Sequence, residues 1–151
     1  MPDHPDLAGI EAALAQAKLA IELDEVPVGA VVTRDGVVVS RAHNTTVARN
    51  DPTAHAELLA IQQAVTALGT DRLDDCTLYV TLEPCAQCAG AIVLAKLGRL
   101  VFGAHDDKAG MCGSVGDVVR HSRLNHRVEV LGGVLADECG ELLQGFFRAR
   151  R

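Results

Sequence analysis

The chain has 151 residues, 48% of them hydrophobic, and a net charge of -6. That length supports one well-buried core and is too short for two comfortable ones, so a single domain over 1–151 is expected. The longest uncharged stretch near the middle, 84–95, falls far short of the roughly 18 apolar residues of a membrane span, and the acidic N-terminus has no basic segment leading into an apolar run, so a soluble, cytoplasmic protein is expected rather than a membrane or secreted one.

Five cysteines, an odd number in a chain with no secretory signal, argue for thiols or metal ligands over a disulfide framework. The charge is uneven: residues 1–83 carry 13 acids against 5 Lys or Arg, whereas residues 84–151 carry 7 acids against 9 Lys or Arg. A polyanion would meet the second half first, although the acidic total is a poor whole-molecule signal for nucleic acid.

In chain order, Leu7, Ile10, Leu14, Ala17 and Ile21 recur at three and four and predict a helix that Asp6 caps and that ends before Pro27. Two β-branched runs then flank Asp35 and Gly36, a hairpin signal. Asp51 and Pro52 suit the N-cap and first position of a second helix, with Leu58, Ile61, Val65 and Leu68 inside and Gly69 ending it. A buried strand over 77–82 leads to a third helix from Pro84 to Gly98. After it come a strand over 100–103, a glycine-rich loop, a helix near 115–121, the strand VEVL and a last helix from Asp137. That order implies a mixed sheet covered by helices, with right-handed crossovers placing the second and third helices side by side on one face.

The starts of those two helices carry His55, Glu57, Cys85 and Cys88. Cys85 and Cys88, at i and i+3 in a first turn, point the same way, and the helix dipole favours their thiolates. With His55 they make three zinc-type ligands, which leave one tetrahedral position open, the mark of a catalytic zinc. Two thiolates weaken that zinc as a Lewis acid relative to a three-histidine site, so it calls for a base beside it. Glu57, two residues from His55 and therefore off the ligand face, is the candidate. Taken alone, Cys-x-x-Cys at a strand-to-helix junction fits a redox pair as well as a metal site, and His followed by Glu in a first turn fits ordinary capping. Together, with Pro84 before Cys85, they match the H-x-E and P-C-x-x-C signature of zinc deaminases.

The stretches PVGAV (27–31), AHN (42–44), DPTAHAE (51–57), TLYVTLEPCAQCAG (77–90), VFGAHDDKAG (101–110), NHRVEV (125–130), GVLADEC (133–139) and FFRARR (146–151) resemble the bacterial tRNA-specific adenosine deaminases of the cytidine deaminase superfamily. The resemblance implies a three-layer α/β/α cytidine deaminase-like fold with a mixed central sheet flanked by helices. It also implies hydrolysis of a wobble adenosine in a tRNA anticodon loop to inosine, with one Zn²⁺ per subunit on His55, Cys85 and Cys88 and with Glu57 as proton shuttle.

By position, Asn44 resembles the family's base-reading residue and Val28 a pocket wall. Asp106 and Lys108 lie where its loop meets neighbouring nucleotides, and Phe146, Phe147 and Arg148 lie on its C-terminal helix near the anticodon stem-loop. Arg150 and Arg151 are candidates for phosphate contact. A homodimer is implied as well. One departure is Gln87, which stands in the pair between the cysteines that is often apolar in the family. The competing expectations are a deaminase of a free base such as guanine or cytosine on the same fold, and a non-enzymatic zinc or redox module.

Overall fold

The computed structural model describes residues 4–150. Its elements run α1 (His4–Glu22), β1 (Gly29–Arg34), β2 (Val37–His43), α2 (Ala56–Leu68), β3 (Cys76–Leu82), α3 (Ala86–Leu94), β4 (Arg99–Ala104), β5 (Glu129–Leu131) and α4 (Ala136–Arg148). The five strands form one sheet in the order β2-β1-β3-β4-β5, with β1 antiparallel to both neighbours and β3, β4 and β5 parallel. The hairpin forms because Asp35 and Gly36 both take left-handed backbone (φ 52° and 77°), which matches the twist of the strands they join.

Strand residues alternate between two layers of core. Ala30, Val32, Leu78, Val80, Leu100 and Phe102 pack with α2 and α3 residues, while Val31, Tyr79 and Val101 pack with Ile10 and Ala13 of α1 and Cys139 of α4. With both faces covered, the central strands read as unbroken apolar runs. Gly29 permits the close fit of α1: a Cβ there would stand 2.0 Å from the Ala13 carbonyl oxygen. This is the expected cytidine deaminase-like architecture. Among the described residues, no helix is long and apolar enough to cross a membrane.

Four local expectations are corrected. Asp6 is not a cap; it lies within α1, 2% exposed, and its carboxylate accepts the Tyr79 hydroxyl at 2.9 Å and the Arg99 guanidinium at 2.8 Å. The second helix begins at Ala56, because Asp51 spends its carboxylate on the backbone N–H and hydroxyl of Thr53 in a turn of its own. The third helix spans Ala86–Leu94, ending early as Lys96 turns left-handed (φ 57°). Residues 115–121 form no helix: the N–H groups of Val115 and Val118 donate back to Gly110 and Met111, so the segment folds onto the preceding loop. Arg151 lies outside the described residues.

The Arg99 guanidinium from β4 meets the charge of the buried Asp6, so Arg99→Ala takes that cation away from a buried carboxylate and leaves it the Tyr79 hydroxyl bond. The expected loss is about 3 kcal/mol in urea unfolding, far above that of a surface Arg→Ala change.

Candidate active site

β2 ends at His43, and the next residue, Asn44, turns its side chain to α2: Asn44 Oδ1 accepts the Ala56 N–H at 2.8 Å. That bond does the work of an N-cap. His55, the residue in the cap position, makes no side-chain cap bond, and its imidazole is left for other use. The same holds across the gap, where Cys85 is the uncapping N-cap of α3 and Cys88 follows in its first turn. His55 Nδ1 lies 3.6 Å from Cys85 Sγ and 3.5 Å from Cys88 Sγ, and the three ligand atoms fall within 4.8 Å of one another.

Two observations test this donor set against zinc. Bonds of about 2.3 Å to sulfur and about 2.05 Å to nitrogen in a tetrahedral site put nitrogen and sulfur about 3.6 Å apart, as found. The second is electrostatic. Hydrogen bonds from the Cys88 thiol and from His55 pull Cys85 down to about 3, whereas the neighbouring Cys85 and burial push Cys88 far up. His55 is raised, chiefly by its bond to Cys85 and then by the Glu57 charge, against its burial. The pair readily holds one negative charge and holds a second only with a cation between them. The residues fit the ion.

Glu57 is 4% exposed, one position beyond Ala56 and off the ligand set, and burial pushes its carboxyl up to about 7. A carboxyl poised there can take and return a proton near neutral pH. It opens with His55, Cys85, Asn44, Val28 and Asp106 onto a cavity of about 740 Å³. Two carboxylates that the sequence reading passed over shape the cavity's rims. Glu25, fully buried, accepts the N–H groups of Val47 at 3.0 Å and Ala48 at 2.7 Å, fixing the rim that carries Thr46 and Val47. Glu83, 1% exposed, accepts the N–H groups of Asp106, Cys112 and Ser114 at 3.0, 3.1 and 3.0 Å, together with the Ser114 hydroxyl. Gly110 must be glycine there, since a Cβ would come 2.4 Å from the Glu83 carboxyl. The available signal was an acid closing an apolar strand directly before Pro-Cys.

The remaining expected site residues divide. Asp106 lines the cavity and caps its own turn through the Lys108 and Ala109 N–H groups, while Lys108 is exposed on the loop outside the lining. None of Phe146, Phe147 and Arg148 lines the cavity. Phe146 is buried, edge-on to Phe147 at 5.4 Å between ring centroids and covered by the Arg150 guanidinium at 3.5 Å; Phe147 is 47% exposed and Arg148 is exposed. Arg150 also pairs with Asp24. Cys76, Cys112 and Cys139 are buried thiols, each raised by its burial.

A mixed five-stranded sheet whose two same-face helices bring a histidine, a cysteine and a proton-carrying carboxyl to one cavity, with a second cysteine buried against the first two, defines a hydrolytic deaminase. The MafB19-like deaminase family matches residues 6–151, and the chain belongs to that family. The tRNA-specific adenosine deaminase of Bacillus subtilis (strain 168) is 49% identical over 139 residues, covering 92% of this chain and 86% of its own. That of Aquifex aeolicus (strain VF5) is 45% identical over 142 residues, covering 94% and 93%. Among solved structures, one from studies of A-to-I editing by tRNA:A34 deaminases at the wobble position of transfer RNA superposes with a TM-score of 0.84 at 43% identity, covering 90% of this chain and 99% of that one. A guanine deaminase from Nitrosomonas europaea superposes with a TM-score of 0.78 at 26% identity, covering 93% and 83%.

Burial alone would raise Glu83, but the bonds from Ser114, Asp106 and Cys112 outweigh it and hold the carboxyl below its ordinary value of 4.5. On acidification the unfolded chain therefore takes up this proton first. The stability Glu83 contributes is complete above that ordinary value and is lost as pH falls through the folded one. Wild type should accordingly exceed Glu83→Gln in unfolding free energy by a margin that is constant near neutrality and shrinks below pH 4.5.

Proposed function

We propose that this chain is a zinc-dependent deaminase that hydrolyses the wobble adenosine of a tRNA anticodon loop to inosine. The observation that carries the reading is the convergence of His55, Cys85 and the buried Cys88, with Glu57 lining the same cavity as His55 and Cys85. Relatives named for tRNA adenosine deamination, at 49% and 45% identity over nearly the whole chain, support the substrate. So does the cavity, which at about 740 Å³ lies in the upper part of the range of about 300–1,000 Å³ that takes drug-sized ligands and leaves room beyond a single base.

His55, Cys85 and Cys88 would hold one Zn²⁺, which would supply a Lewis acid to activate water as a nucleophile. Glu57 takes the proton that water loses and delivers it to N1 of the purine. As the C6–O bond forms the first proton goes to N1; Glu57 then takes the remaining proton from the new C6 hydroxyl and gives it to N6 as the C6–N6 bond breaks, and ammonia leaves. Asn44 reads the base with one group only: its oxygen is committed to the Ala56 N–H, so its NH₂ is the donor offered to a purine acceptor such as N7. Val28 forms an apolar wall against the base. Asp106 shapes, and Lys108 completes, a loop that meets the nucleotides flanking the target. On α4, Phe147 and Arg148 offer an exposed ring and an exposed cation to the anticodon stem-loop, with Phe146 holding the Phe147 ring edge-on. The enzyme acts as a single domain over 1–151, as a cytoplasmic homodimer.

The guanine deaminase of the same fold keeps a free-base reading in view, and substrate choice separates the two. Zinc-loaded protein should form inosine on an anticodon stem-loop with adenosine at the wobble position and release no ammonia from free guanine, cytosine or adenosine. Ammonia from a free base alone would remove the RNA from the reading.

Glu57→Ala should keep one zinc per subunit while inosine formation falls by about 10² to 10⁴, roughly 3 to 5.5 kcal/mol of barrier. Zinc leaving together with activity would instead make Glu57 a ligand. Asn44→Asp keeps an acceptor for the Ala56 N–H but loses the donor, so kcat/KM should drop about tenfold or more with little change in melting temperature. Asn44→Ala loses both and adds about 1 kcal/mol of destabilisation.

A further inference from the structure

We propose that Gln87 is a positioning residue of the metal site: its carboxamide ties the loop that delivers His55 to the helix that delivers both cysteines, and donates a hydrogen bond to the Cys88 sulfur. The inference rests on the zinc deaminase reading above.

Gln87 occupies the second position of α3, between the N-cap Cys85 and Cys88. Its Nε2 lies 3.0 Å from the Thr53 carbonyl oxygen and 3.8 Å from Cys88 Sγ. Both neighbours are acceptors, so the nitrogen and not the oxygen of the carboxamide has to face them, and its two protons serve one acceptor each. The Thr53 carbonyl has a second donor, the backbone N–H of His55 at 2.8 Å. The result is a continuous path from the Cys88 sulfur through the Gln87 amide and the Thr53 carbonyl to the His55 backbone. It spans the donor set from outside.

Asp51 anchors the far end of that path, since its carboxylate fixes the Thr53 N–H and hydroxyl at 2.9 and 2.6 Å. This tie adds to the packing of α2 and α3 in their shared core, at the end where the ligand side chains stand. An apolar residue at 87 would fill the same space without the tie.

Two consequences follow from general chemistry. A link across the site holds the spacing of His55 and Cys88 before an ion arrives, which raises affinity by preorganisation. A donor on the thiolate draws electron density from sulfur, so the ion keeps more of its Lewis acidity despite two sulfur ligands.

The test compares wild type with Gln87→Leu and Gln87→Glu. Gln87 is a half-buried helix surface residue, and the melting temperature of the metal-free proteins checks that both variants fold. Zinc affinity, read by competition with a chromophoric chelator, should fall about 10- to 100-fold in Gln87→Leu. Gln87→Glu keeps the length, loses both donors and adds charge beside the thiolate, so it should fall further. In the cobalt-substituted proteins the sulfur-to-cobalt charge-transfer band should move to longer wavelength in both variants.

Folded variants that bind zinc within about twofold of wild type, with the band unmoved, would overturn the role of Gln87 and leave the deaminase reading standing. Wild-type protein that retains no zinc against the chelator would overturn both.

Discussion

Two helix N-termini have to arrive at one point, and this constraint governs the rest of the molecule. β2 and β3 run parallel with β1 between them, and β3 and β4 run parallel as neighbours, so the chain crosses the sheet twice in the same direction. Both crossover helices then cover one face and start at one edge. Such starts normally consume polar side chains, because four N–H groups stand open at each. Here that demand is moved elsewhere: Asn44 serves α2 from the end of β2, and the cap residues His55 and Cys85 keep their side chains for chemistry.

The rims obey a related economy. Among the described residues, Glu25 and Glu83 are buried with no lysine or arginine bonded to them; backbone N–H groups, helped by the Thr46 and Ser114 hydroxyls and by His105 at 3.7 Å from Glu83, meet them instead. A carboxylate satisfied by peptide dipoles is directional in a way that an ion pair with a flexible lysine is not. Each fixes several consecutive backbone positions, so two irregular loops acquire defined shapes without secondary structure of their own. The walls of the cavity are therefore set by side chains whose bonds run to the backbone of the loops. Asp6 and Glu57 are buried as well, but the first is met by the Arg99 guanidinium and the second faces the cavity.

What was legible in the sequence was what is local. Asp35-Gly36 specified the hairpin, Gly69 ended α2 in left-handed backbone, and the apolar runs gave the strands. The spacings His55-x-Glu57 and Pro84-Cys85-x-x-Cys88 located the site because both are short. The misreadings have one cause, competition from partners distant in sequence or in the adjoining loop. Asp51-Pro52 imitates a helix start, yet Asp51 caps a turn and Asn44, twelve residues before Ala56, caps the helix. Asp6 looks like a cap and is instead an ion-pair partner of Arg99, 93 positions away. The stretch at 115–121, read as a helix, is rich in Val with a Gly and an Asp, all weak helix formers, and its N–H groups find acceptors at Gly110 and Met111. Glu83 drew no notice because nothing near it in sequence announces the loop 23 to 31 residues on that wraps it.

The distribution of sulfur gives the folded protein an optical and chemical simplicity. Cys76, Cys112 and Cys139 are buried and their thiols are held protonated, whereas Cys85 is partly exposed and its thiolate is favoured. Alkylating reagents attack thiolates within reach of solvent. In the metal-free native state, labelling is therefore directed to Cys85 at the cavity, and the number of cysteines modified before and after denaturation separates the chemistry of the cavity from that of the core.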